Sequence, residues 1–170
     1  MQQLQSMERP RHYSGVSTFF IPLQKKNQMG RIVALDVGQK RTGIAVTDTL
    51  QLIANSLTTL PTHEVISFLK DYLAREPVDA FVVGYPKQMN NTPSEAVRFV
   101  DPFISKLKTA FEGKPVHLTD ERFTSKLAMQ TMVTGGVKKK DRQNKALLDA
   151  ISATIILQSF LESKAWKNEH

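Results

Sequence analysis

The stretch "RIVALDVGQKRTGIAV", residues 31–46, constrains the fold more than any other part of the chain. Two apolar runs, 31–37 and 42–47, flank the four-residue turn Gly38, Gln39, Lys40 and Arg41, so the pair reads as an antiparallel hairpin. The hairpin is core-forming. Asp36 breaks the first run. A carboxylate on a buried strand needs a cation, a hydrogen-bond network or a metal to offset its desolvation.

The rest of the chain extends the hairpin into a layered α/β domain. "LIANSLTTL" (52–60) reads as a third strand, and "DAFVVGY" (79–85) as a short strand buried on both faces. "KPVHLTDER" (114–122) reads as a fifth. Helical spacing marks residues 62–76, with Thr62 as N-cap, and 93–111, where Pro102 is expected to kink the helix. Residues 124–133 form a helix capped by Thr124 or Ser125 and closed by Gly135, and 146–166 the longest and most apolar one. The order β-β-β-α-β-α-β-α-α predicts a mixed five-stranded sheet: three antiparallel leading strands, then alternating helices and strands, with helices flanking it.

Residues 1–28 carry no periodic apolar face and are read as a flexible extension, with Met29 an alternative start. The short apolar stretch 16–23 is not followed by a small-residue cleavage site, so it does not read as a signal peptide. Residues 29–166 form the domain and 167–170 a C-terminal tail. No run reaches the ~18–20 apolar residues of a membrane helix. Cysteine is absent, which excludes disulfides and thiolate metal sites and fits a reducing cytoplasm.

Three acidic positions interrupt apolar patterns on separate elements: Asp36, the pair Asp120 and Glu121 after "VHLT", and Asp149 between Leu148 and Ile151. Any one of them alone is as well explained by a salt bridge to Lys40, Arg41 or Arg122. Three together suit Mg²⁺ or Mn²⁺, hard cations held by oxygen, and a pair of such ions can drive phosphodiester hydrolysis. His12, His63, His117 and His170 have no metal-ligand spacing.

A net charge of +7 and a pI near 9.7 favour a polyanionic partner, nucleic acid before membrane. Lys40, Arg41, Lys87, Arg122 and Lys126 are candidate phosphate contacts, as are Lys138, Lys139, Lys140, Arg142 and Lys145 in the charged loop before the last helix. A charge run of that kind is also what a solvated loop looks like.

Four motifs, in order, resemble those of the YqgF/RuvX family: "ALDVGQKRTGIAVTD" (34–48), "VVGYPKQMN" (82–90), "TDERFTSKLA" (119–128) and "KALLDAISATIILQSFL" (145–161). The family is described as a Holliday junction resolvase and as the nuclease that trims the 5′ end of the small-subunit ribosomal RNA precursor. The resemblance implies a ribonuclease H-like fold and a metal-dependent nuclease, with Asp36, Glu121 and Asp149 as catalytic metal ligands and Asp120 as the alternative to Glu121. Lys40 and Arg41 match the family's basic pair. Tyr85 stands where the family often has Leu, and Asn91 where Gly is common.

The expected partner is structured precursor RNA ahead of branched DNA, acted on in the cytoplasm by a monomer or weak homodimer. A non-catalytic nucleic-acid-binding module is the rival from another class. The Asp-x-Gly turn also resembles the phosphate loop of actin-like ATPases and sugar kinases, but those need a second domain for which 170 residues leave no room.

Overall fold

The computed structural model describes residues 29–86, 95–120 and 124–163, with the side chain of Ser125 left aside. Strands β1 (Arg31–Val37), β2 (Arg41–Thr47), β3 (Ala54–Pro61), β4 (Val78–Tyr85) and β5 (Val116–Asp120) form one sheet in the order β3-β2-β1-β4-β5. The β1–β2 and β2–β3 pairs are antiparallel, and β1–β4 and β4–β5 are parallel. This is the mixed five-stranded architecture the sequence predicts. Helices α1 (Val65–Leu73), α2 (Val97–Ala110), α3 (Thr124–Thr134) and α4 (Lys145–Glu162) complete it. Among the described residues, no helix is long and apolar enough to cross a membrane.

Period-two alternation along the strands divides the core into two layers. Val33, Leu35, Ile44, Phe81 and Val83 pack toward α1 and α2, against Val65, Leu69, Val100 and Leu107. Ile32, Ala34, Ala45, Ala80 and Val82 face α4, against Ala153, Ile156, Leu157 and Phe160. The α4 face of the sheet is built largely from small residues. That choice lets a helix settle close to the strands, and it decides the geometry of the site.

Local details depart from the sequence reading in physically simple ways. Thr62 caps no helix. It opens a 3-10 turn (Thr62–Glu64), and its hydroxyl donates to the Gly38 carbonyl at 2.7 Å, tying the β1–β2 turn to the start of α1. α2 runs continuously through Pro102, at the cost of one main-chain bond to the preceding turn. The left-handed residue closing α3 is Gly136 (φ +74°), one place beyond the expected Gly135. α4 is capped by Asn144, whose side-chain oxygen accepts from the Ala146 and Leu147 amides.

At the start of β1, the Gly30 amide donates to the Asp79 carboxylate at 2.7 Å. The Gln51 side chain closes the same corner, donating to the Gly30 carbonyl and to Asp79. The expected extension 1–28 and tail 167–170 lie outside the described residues.

Candidate nuclease site

Asp36 lies next to the C-terminal end of β1, opposite Gly43 of β2. Its place in the alternation turns its side chain to the face shared with Ile32 and Ala34, the face that α4 covers. α4 brings two groups to it. The Ser152 hydroxyl, buried on the helix, hydrogen-bonds to the Asp36 carboxylate, and Asp149 lies close enough to repel it.

Burial, first, and the Asp149 charge, second, push the Asp36 pKa up to about 7 from 3.8, against the opposing pull of the Ser152 hydrogen bond. Asp149 itself accepts from Arg41 Nε at 3.1 Å. With both partners partly solvated, that ion pair adds at most about 1 kcal/mol to folding. Its main effect is to fix where the Asp149 carboxylate points.

Gly43 makes this proximity possible. A Cβ on residue 43 would fall 2.5 Å from the Asp149 carbonyl carbon and closer still to its oxygen. Only a bare Cα lets the backbone of α4 approach β2 beside Asp36. The sequence reading singled out neither Gly43 nor Ser152. A glycine inside an apolar strand, and a serine three places after an acid on an apolar helix, were the available signals.

Other candidate residues distribute as follows. Asp120 pairs with Tyr85 at the end of the sheet. It shares the alternation of Val116, which packs on the α1–α2 layer, so it lies on the opposite face from Asp36. His117, one place off in the alternation, lies against Phe160 of α4 as a packing residue.

Lys40 is exposed on the turn. Arg41, expected on phosphate, is engaged with Asp149. Lys138, Lys139 and Lys140 are exposed ahead of α4, while Arg142 donates to the Val137 carbonyl at 2.7 Å and braces that loop. Lys126 is exposed on α3. Glu121, Arg122 and Lys87 lie outside the described residues.

Among the described residues, no three metal-ligating side chains converge. The pair Asp36 and Asp149 nonetheless has the chemistry of a hard-cation site: two oxygen donors on a strand and a helix, mutually repelling, with one guanidinium on Asp149.

A family model described as RuvX, Holliday junction resolvase, matches residues 30–163. The chain belongs to the RuvX family. Similar relatives cover nearly their whole length. A Bacteroides thetaiotaomicron protein named "Putative pre-16S rRNA nuclease" is 62% identical over 136 residues, 80% of this chain and 99% of its own. A Flavobacterium johnsoniae protein of the same name is 56% identical over 136 residues, with the same coverage. Among solved structures, Thermus thermophilus RuvC in complex with Holliday junction substrate aligns over 78% of this chain and 96% of its own, at 20% identity and a TM-score of 0.48. The family match spans both β1 and α4, the elements that carry Asp36 and Asp149.

Proposed function

We propose that this RuvX-family protein is a metal-dependent nuclease that hydrolyses phosphodiester bonds, processing the 5′ end of the small-subunit ribosomal RNA precursor in the cytoplasm. The observation that carries the reading is the Asp36–Asp149 pair. A strand and a helix bring two carboxylates together, on a sheet face built small enough for the helix to reach it. The names of the relatives support precursor RNA as the substrate.

Asp36 and Asp149 would hold Mg²⁺ or Mn²⁺, with Glu121 as a third ligand, and two such ions would supply an activated water and charge stabilisation at the leaving oxygen. The protein's own residues provide the rest. Ser152 orients Asp36, and Arg41 orients Asp149. Lys40, Arg122, Lys138, Lys139 and Lys140 neutralise substrate phosphates, and Arg142 holds their loop in shape. The working unit is residues 29–166, as a monomer or weak homodimer, with 1–28 and 167–170 as appendages.

Branched DNA is the second reading, favoured by the family model's description. One experiment separates the two. The full chain is incubated with a ribosomal precursor fragment or a four-way DNA junction, in Mg²⁺, in Mn²⁺ and in chelator, beside Asp36→Asn. Metal-dependent cutting of the RNA, absent in the variant, is expected. Cutting of the junction alone would transfer the activity to DNA, and no cutting of either would overturn the nuclease reading.

A further inference from the structure

The turn of residues 38–41 serves both faces of the sheet. Arg41 reaches the α4 face and Asp149, while Lys40 lines a groove of about 680 Å³ on the other face, between α1 and α2. Thr62 fastens that turn to the groove wall: its amide donates to the Lys40 carbonyl at 3.1 Å and its hydroxyl to the Gly38 carbonyl. Arg98 and Lys106 of α2 also line the groove, with Phe99 and Phe103 between them. A second hollow of about 540 Å³ adjoins it, shares Lys106 and adds Lys70.

Lys40, Arg98, Lys106 and Lys70 are exposed, and among the described residues none forms an ion pair with a carboxylate. Three separate elements thus contribute cations to one channel, where half-buried Phe99 supplies the aromatic surface and Phe103 beneath it belongs to the core. Arg98 and Lys106 are about 12 Å apart along α2, long enough to follow a chain of phosphates rather than one anion. A cationic groove with aromatic surface is the general chemistry of single-strand binding, in which lysine and arginine track the backbone and rings meet the bases.

We propose that this groove is a track for a single-stranded segment of nucleic acid, continuing over the β1–β2 turn from the phosphate held at the carboxylate site. Lys40 is the shared point where the strand leaves one face for the other. The inference rests on the nuclease reading for its substrate, and it places the unpaired flank of that substrate on the α1–α2 face.

The test reads binding alone, on the full chain in chelator, by fluorescence anisotropy with a labelled single-stranded RNA of about ten nucleotides. Affinity is followed across a salt series, with a blunt RNA duplex as comparison. Arg98→Ala with Lys106→Ala should weaken single-strand binding about tenfold at low salt and lower the slope of log affinity against log salt by about 1.4. Duplex binding should change far less. Arg98→Lys with Lys106→Arg should keep the slope, showing that charge and not folding is read. An unchanged slope in the alanine pair, or equal loss on the duplex, would overturn the track. The two proposals fail separately: a protein that cuts no substrate yet shows the slope change keeps the groove and loses the nuclease. One that cuts RNA with an unchanged slope does the reverse.

Discussion

The backbone of Asp149 rests directly on the Cα of Gly43, at a separation that no side chain on residue 43 would permit. Gly43 is also the strand partner of Asp36. One glycine therefore sets the distance between the two carboxylates, although it has no polar side chain of its own. Gly43→Ala should push α4 away from β2, costing about 1–3 kcal/mol in stability and lowering kcat about a hundredfold through misplacement of Asp149. Chemical denaturation and single-turnover cleavage measure the two effects. Wild-type kcat in a folded variant would refute the link.

Asp36→Asn should abolish cleavage and stabilise the metal-free protein above neutral pH. The sign follows from linkage. The folded-state pKa is raised, so the native protein binds the extra proton between about pH 4 and pH 7. The stability contributed by that proton is fully present below the unfolded value and is lost as pH rises through about 7. Over that window the wild type should lose on the order of 2–4 kcal/mol relative to the variant. Urea unfolding in chelator at both ends of the window checks it, and parallel curves for the two proteins would contradict the burial of this charge.

Arg41→Gln separates orientation from phosphate binding. Held on Asp149, Arg41 should matter to kcat, falling about tenfold, while the salt dependence of substrate affinity stays unchanged. A phosphate contact would instead lower the salt slope by about 0.7–0.9 and raise KM.

Charge reversal of Lys138, Lys139 and Lys140 should weaken substrate binding and flatten its salt dependence by at least about 2 in slope. The three are exposed on a loop ahead of α4, braced from within by Arg142. Binding isotherms across a salt series would show it, and an unaltered slope would make these lysines ordinary solvated charge.

The layered sheet was legible because strand periodicity is local: Val33 and Leu35 alternate with Ile32 and Ala34, and each set reaches a different core layer. Asp36 and Asp149 were legible because acids stand out against apolar neighbours. What escaped depends on contacts between distant segments. Gly43 reads as a weak strand residue until α4 lies on it, and Ser152 as a polar slip until Asp36 faces it. Thr62 has every local mark of a helix cap, yet its hydroxyl goes to Gly38, more than twenty residues upstream.

The corner where Gly30, Gln51 and Asp79 meet has a practical outcome. It anchors the beginning of β1, whereas Asp36 lies near the other end of that strand, about 20 Å away along it. Sequence added or removed upstream of Gly30 therefore joins the molecule at the end remote from its chemistry. The attachment point of any upstream segment is thus separated from the carboxylate pair by the length of β1.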